Sequence, residues 1–258
     1  MEEIILIIFF GLAWGSFLNV VIYRLPRRIS LVKPSSSCPH CHQKIRFYDN
    51  IPLFSYILLG GKCRHCKARI PPSYPLIELL TPLGLLFLYN EYSLSPSFFA
   101  SSLFFSALVI LGFIDFFHQI LPDEITLPVL LLALIYSLVR PDLNLRQALV
   151  GAVSGAGFLL FVYGAYYLLR KKEGLGMGDV TMMLMIGAYL GWRLTLFTLV
   201  LASFTGALFG GVFILIKKKN LQYSLPFGSF LAAAAFIALI WGKKIITSYF
   251  SLYKNLAP

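Results

Sequence analysis

Apolar runs of near-spanning length alternate with short polar breaks along most of the chain. The first run, residues 4–23, is long enough for one crossing of a hydrocarbon core of about 30 Å at about 1.5 Å per helical residue. A polar segment follows over 24–74. Further runs predict helices over 75–89, 98–115, 125–139, 147–169 and 226–241. The stretch 180–216 carries one charge, Arg193, beside Gly191-Trp192, and predicts a helical hairpin turning there. Its first arm, 180–190, spans only about 17 Å, which implies a locally thinned bilayer or an arm ending in a wet cavity. The pattern predicts an all-α polytopic membrane protein of about eight transmembrane helices, with a small polar domain inserted after the first. It divides into residues 1–23, the first transmembrane helix; 24–74, the inserted domain; and 75–258, the remaining membrane domain.

Composition agrees with the pattern. The chain is 58% hydrophobic with a mean hydropathy of +0.78. Met1-Glu2-Glu3 is acidic where a cleaved signal peptide is basic, so the first run reads as a retained helix. The net charge of +11 does not indicate nucleic acid. Lys and Arg cluster beside the apolar runs, as cytoplasmic loops require, and anionic membrane lipid is their simplest partner. Segment 24–74 is strongly basic with Asp49 as its only acid, which places it in the cytoplasm and the N-terminus outside. Arg170-Lys171-Lys172 and Lys217-Lys218-Lys219 mark cytoplasmic loops, whereas 90–97 and 140–146 read as external. Both termini then lie outside, and Lys243, Lys244 and Lys254 run against the charge bias.

This topology brings two distant acids to one boundary. Asp115 ends an inward-going helix, and Asp179, behind Gly174-Leu175-Gly176-Met177-Gly178, begins an outward-going one. Ionisable groups at membrane depth are functional candidates by default. Peptide hydrolysis by two carboxylates needs one ionised to activate water and one protonated to assist the carbonyl oxygen. Two close carboxylates do not both ionise cheaply, so the roles separate. Asp123, after Leu121-Pro122, shares the boundary but is the more solvated. The dyad is therefore Asp115 and Asp179, with Asp123 third. Blander readings stand beside this one: Asp115 as a helix-end carboxylate reaching headgroups or an Arg, and Asp179 as the N-cap of the short helix. Gly176 and Gly178 leave room beside Asp179 for a peptide backbone.

Cys38-Pro39-His40-Cys41 and Cys63-Arg64-His65-Cys66 form two C-x-x-C pairs with 21 residues between them, and hold every cysteine in the chain. Two such knuckles supply four thiolates to a tetrahedral metal, and the pattern points to zinc. A reducing cytoplasm disfavours disulfides. His40, His42 and His65 are possible substitute ligands, but four thiols complete the set. A closed site is structural, stapling a segment too small to fold well alone.

These motifs together resemble the bacterial type IV prepilin peptidases, prepilin leader peptidase/N-methyltransferases of the GxGD type. The resemblance rests on Gly15-Ser16-Phe17-Leu18-Asn19 with Arg24-Leu25-Pro26, the two cysteine pairs enclosing Tyr48-Asp49-Asn50-Ile51-Pro52, and Gly61-Lys62-Cys63-Arg64. It continues through Asp115 with Leu121-Pro122-Asp123, Gly176-Met177-Gly178-Asp179-Val180 and Pro226-Phe227-Gly228. It implies a multi-pass aspartic endopeptidase of the bacterial inner membrane, with Asp115 and Asp179 catalytic on the cytoplasmic side. Its substrates would be type IV prepilins or type II secretion pseudopilins, cut after a glycine and before a hydrophobic helix. It also implies N-methylation of the new terminus from S-adenosylmethionine, tied to the cysteine domain and to Gly61. Thr181 stands where the family usually has Lys. Because leader and enzyme face are both basic, Asp123, Glu124 and Glu173 are expected to supply acidic contacts. The substrate's apolar helix is expected to dock sideways, near the glycine tract and the short sixth helix.

Two alternatives remain in view. One is a peptidase alone, its cysteine domain serving substrate docking. The other is a proton- or cation-coupled transporter, which should show related halves or broken helices at the midplane; no repeat is visible.

Overall fold

The computed structural model describes residues 1–33, 35–171, 176–217 and 225–256. They are helical apart from turns and two isolated β-bridges. The chain divides into two compact units, Met1–Ser102 and Leu103–Pro258.

The first unit is built on a helix pair. α1 (Glu2–Arg24) lies against α3 (Ser73–Tyr92). Gly11 and Gly15, one turn apart on α1, permit the approach: a methyl group at Gly11 would sit 2.6 Å from Pro82 Cα, and one at Gly15 2.9 Å from Glu78 Cα. Apolar helices gain little from burial against each other in lipid, so small residues that admit close backbone contact drive such pairs. The buried Asn19 amide donates to Tyr74 O at 3.0 Å and fixes the pair's register. Between the two helices runs the cysteine segment, with a short helix α2 (Phe54–Leu58). Glu78, buried on α3, accepts the Leu53 N–H at 2.8 Å and ties this segment to the helix pair.

The second unit takes most of α4 (Pro96–His118), then α5 (Asp123–Tyr136), α6 (Leu145–Arg170), α7 (Met177–Leu190), α8 (Trp192–Lys217), α9 (Phe227–Ile237) and α10 (Lys243–Leu256). A π-turn at Ala238–Gly242 joins α9 to α10 without a break, so the helix continues past the end of the apolar run, which gives way at Lys243-Lys244. α7 is the axis, packing against α5, α6, α8 and α9. From Val180 onward it is buried almost throughout. Its contact with α6 is backbone on backbone: a methyl at Gly187 would sit 2.2 Å from Gly151 O. At its C-terminal end the Arg140 guanidinium donates to Tyr189 O at 2.8 Å and to Asp142.

Five helical stretches among the described residues are long and apolar enough to cross a membrane: Glu2–Arg27, Pro96–His118, Leu145–Arg170, Trp192–Phe213 and Phe227–Tyr249. α5 and α7, of 14 residues each, span only about 21 Å. α7 is surrounded by protein, and a helix with protein rather than lipid for neighbours need not match the bilayer. Helix bounds also shift from those expected. α4 runs one turn past Asp115, and α7 begins at Met177, so its N-cap is Gly176 and Asp179 lies within the first turn rather than capping it. Lys243, expected against the charge bias, donates to Asp142 at 2.7 Å.

Candidate active site

Asp115 lies in the last turn of α4 and is only 5% exposed. Such a carboxylate requires donors, because an unpaired buried charge is costly. They come from the start of α9. The Ser229 N–H donates to Asp115 Oδ2 at 2.7 Å, and the Ser229 hydroxyl lies 3.1 Å from the same oxygen. That hydroxyl is also 2.8 Å from Gly112 O, so its single proton serves one acceptor or the other. The N-terminus of a helix suits an anion, since its first N–H groups are unpaired and its dipole is positive there. Gly228 makes the approach possible: a methyl there would lie 3.1 Å from Asp115 Cγ and Oδ2, and 2.9 Å from Leu121 Cδ1.

Asp179 reaches the same end of the unit from the first turn of α7 and is 8% exposed. Its charge and that of Asp115 interact. Leu121 connects the two sides. It packs against Gly228 at the start of α9, and a methyl at Gly178 would lie 2.8 Å from its Cβ. Gly178 is thus the opening into which Leu121 inserts, while Gly176 lies beside Asp179 Oδ2, where a methyl would sit at 3.5 Å. A left-handed Gln119 (φ 54°) ends α4, its N–H on Asp115 O at 2.8 Å, and turns the chain toward Leu121. The arrangement presents two nearly buried carboxylates of one electrostatic pair, set among apolar side chains at one end of a helical bundle.

Other expected site residues lie differently. Asp123 is exposed at the start of α5, with its Oδ1 accepting from Thr126 Oγ1 at 3.2 Å, and Glu124 beside it is exposed too. Glu173 lies outside the described residues, with Lys172, Gly174, Leu175, Lys218 and Lys219. Thr181 turns its hydroxyl back onto Gly178 O at 3.0 Å. Among the described residues α7 is covered by its neighbours from Val180 onward, while Gly176 and Met177 at its start, beside the glycine tract, are exposed. Ser229 was not among the residues singled out from sequence. The signal was present as a hydroxyl residue directly after Pro226-Phe227-Gly228, at a helix start.

The cysteine segment repeats one local geometry. In the first knuckle Cys38 N–H bonds Gln43 O at 2.9 Å and His42 N–H bonds Cys38 O at 2.9 Å; in the second, Cys63 N–H bonds Ala68 O at 2.8 Å and Lys67 N–H bonds Cys63 O at 3.1 Å. The β-bridges Ser37–Lys44 and Lys62–Arg69 close the two turns, and His42 and Lys67 share a left-handed conformation. The Sγ atoms of Cys38, Cys41, Cys63 and Cys66 all lie within 4.8 Å of one another, close enough to hold a metal ion. The Cys38–Cys66 sulfur separation is 3.8 Å, matching the roughly 3.8 Å edge of a tetrahedron with metal–sulfur bonds of about 2.3 Å. Backbone N–H groups of Cys66, then His65, bring the Cys63 thiol down to about 7. Against the Ala68 N–H, desolvation and the neighbouring sulfurs push Cys66 up to about 11. The set thus gives up its first proton readily and its last only against the charge of the others. Arg64 grips Asp49 with both Nε and Nη2, at 2.9 and 2.6 Å, joining the second knuckle to the intervening insert and holding Asp49 below the usual carboxylate range. Gly61, with φ +66°, packs on Tyr56: a methyl there would lie 3.0 Å from the phenol oxygen.

Comparison with known proteins agrees with this division. Residues 9–92 match the Bacterial Peptidase A24 N-terminal domain, and residues 102–211 match the Type IV leader peptidase family. A Prepilin leader peptidase/N-methyltransferase of Aeromonas salmonicida is 39% identical, over 95% of this chain and 93% of the relative. The proteins of that name from Pseudomonas aeruginosa and Dickeya chrysanthemi are each 38% identical, over 94% and 89% of this chain and 91% and 89% of the relatives. No solved structure matches the chain. Identity at this level over nearly the whole length leaves one conclusion: the chain belongs to the type IV leader peptidase family and is a membrane peptidase.

Proposed function

We propose that this enzyme removes the leader peptide from type IV prepilins or type II secretion pseudopilins with Asp115 and Asp179 as its catalytic pair. It then methylates the new N-terminus. The carrying observation is the pair of nearly buried carboxylates, remote in sequence, that α4 and α7 bring to one end of the second unit on either side of Leu121.

The Ser229 N–H donating to Oδ2 at 2.7 Å, with the Ser229 hydroxyl within reach of the same oxygen, suits a carboxylate rather than a carboxylic acid. Asp115 is therefore the base, and Asp179 carries the shared proton. Asp115 takes a proton from water while the water oxygen bonds to the scissile carbonyl carbon. Asp179 gives its proton to the carbonyl oxygen. The tetrahedral species then loses its amine, whose nitrogen takes the proton held on Asp115, and Asp179 recovers its own from the collapsing hydroxyl.

The four cysteines fit a structural zinc, because a complete thiolate set leaves no open position. S-adenosylmethionine supplies the methyl group for the second step. Gly61 bears on that step through its place at the root of the second knuckle. We further propose that about eight helices cross the inner membrane, the short α5 and α7 among them and α9–α10 counted as one, with the cysteine segment, Asp115 and Asp179 on the cytoplasmic side. Arg170 and Lys171 at the end of α6 and Lys217 at the end of α8 support this orientation.

The test is incubation of the purified protein with a prepilin and labelled S-adenosylmethionine, followed by sequencing of the product's N-terminus. Asp115→Asn and Asp179→Asn should each abolish leader removal with bound metal unchanged. Cleavage retained by either variant would move the role to Asp123. Cleavage without transfer of label would leave a peptidase alone.

A further inference from the structure

Beside Asp115 an apolar groove of about 360 Å³ opens between the end of α4, α8 and α9. Its walls include Phe116, Thr205, Phe209, Ser229, Phe230 and Ala233. We infer that this groove receives the apolar, membrane-embedded residues of the substrate next to its scissile bond. The inference rests on the peptidase reading above and locates the substrate's apolar part on the α8–α9 face.

Continuity with the candidate site carries the inference. Ser229 belongs to both: its N–H holds Asp115 Oδ2 at 2.7 Å, and it forms part of the groove wall. An extended chain advances about 3.3–3.6 Å per residue. A peptide bond held at Asp115 therefore has the groove within reach of its next few residues.

The wall chemistry selects an apolar occupant. Among the described residues no charged side chain lines it. The Thr205 hydroxyl is turned onto Leu201 O and Ala202 O, and the Ser229 donors point to Asp115 and Gly112. The Phe209 and Phe230 rings, 5.9 Å apart, form an aromatic side, while Ala233 and Ala234 keep the α9 side low. Small residues beside aromatic ones let a second helix lie close. Among the described residues α7, the other element bearing an aspartate, is covered by its neighbours from Val180 onward, which leaves the α8–α9 face as the more open approach.

The experiment places a benzoylphenylalanine photocrosslinker at position 233, an exposed helix position, in the Asp115→Asn protein, and adds uncleaved prepilin in lipid bilayers. The expected product is a crosslink to the prepilin within a few residues of its scissile bond. The same probe at Leu168, exposed on α6, should give none. Crosslinks from 233 to lipid alone, or equal prepilin crosslinking from both positions, overturn the inference. In the active protein, Ala233→Trp should fill the groove and Phe209→Ala should strip one wall. Each should raise KM for prepilin on the order of tenfold or more, the scale of losing one large apolar contact, with a smaller change in kcat. Unchanged KM in both also overturns it. Failure of the underlying reading is distinguishable, because Asp115→Asn would then still cleave.

Discussion

Gly228→Ala tests the seat of Asp115 with a single methyl group. The added carbon would lie 3.1 Å from Asp115 Cγ and Oδ2. Non-bonded carbons rest about 3.5–4.0 Å apart, so the carboxylate must retreat by roughly 0.5 Å. Its bond from Ser229 N–H, 2.7 Å long, then stretches to about 3.2 Å, the limit of useful geometry. A hydrogen bond to a charged group contributes about 1.5–3 kcal/mol. At about 1.36 kcal/mol per tenfold in rate, kcat should fall by about ten- to a hundredfold, with KM little changed. The second contact, 2.9 Å to Leu121 Cδ1, is to the end of a flexible side chain and yields more cheaply. Initial rates of leader removal over a range of prepilin concentrations measure the effect, with thermal unfolding and metal content as controls on folding. Adding Leu121→Ala separates the two contacts: a double variant that stays slow places the loss at Asp115, and one restored to full rate places it at Leu121. A folded Gly228→Ala enzyme with kcat within about twofold of the parent would refute the argument.

Gly151→Ala should destabilise the protein by at least the usual overpacking range of about 1–3 kcal/mol, because its methyl would meet Gly187 O at 2.3 Å and neither backbone can swing away; an unaltered thermal midpoint would show that α6 and α7 part easily. Arg140 first, then Lys243, holds Asp142 well below the usual carboxylate range. A depressed folded value means the stabilisation is complete above the unfolded value of about 3.9 and is lost as pH falls toward the folded one. Asp142→Asn should therefore lower the thermal midpoint at pH 7, and the gap should narrow below about pH 4; a gap constant across that range would argue against the ion pairs. Cys63→Ser should lose both bound metal and methyl transfer, and unchanged metal content would mean that the tetrad is not a metal site.

The apolar runs made the long helices legible, because a membrane crossing leaves a continuous signature some twenty residues long. The cysteine knuckles were legible for a different reason: C-x-x-C is local, and each turn closes within eight residues, Ser37 to Lys44 and Lys62 to Arg69. Helix edges were less so. Gly176-Met177-Gly178 reads as a loop, since glycine disfavours helix. α7 nevertheless starts at Met177, because Gly178 serves Leu121 rather than a turn. Nor does the shortness of α7 show in the sequence that its neighbours are protein. Amphipathic periodicity, which would expose such a difference in water, carries little information where the solvent is itself apolar. Gly151 against Gly187 and Gly11 against Pro82 are backbone contacts between segments remote in sequence, and no local pattern pairs them.

The deeper question is how a nearly apolar bundle tolerates two nearly buried carboxylates at one end. Desolvation alone would forbid the arrangement unless fixed donors replaced water. Asp115 starts at a disadvantage, because it sits in the last turn of α4, where the helix dipole is negative. The fold offsets this by aiming the start of α9 at it, with the Ser229 N–H on Oδ2 and the Ser229 hydroxyl shared between that oxygen and Gly112 O. Asp179 needs no such import, since it lies in the first turn of its own helix, at the positive end. Leu121 fills the space between the starts of α7 and α9, and Gly178 and Gly228 each omit a side chain to admit it. Two helix N-termini thus converge where α4 ends, and the same convergence that makes the anion tolerable also brings the second acid to it. That is why a GxGD tract and a Pro-Phe-Gly tract, unrelated as local sequence, belong to one site. It also explains why Ser229, which joins that site to the groove, shows its importance only when the ends of three helices are seen together.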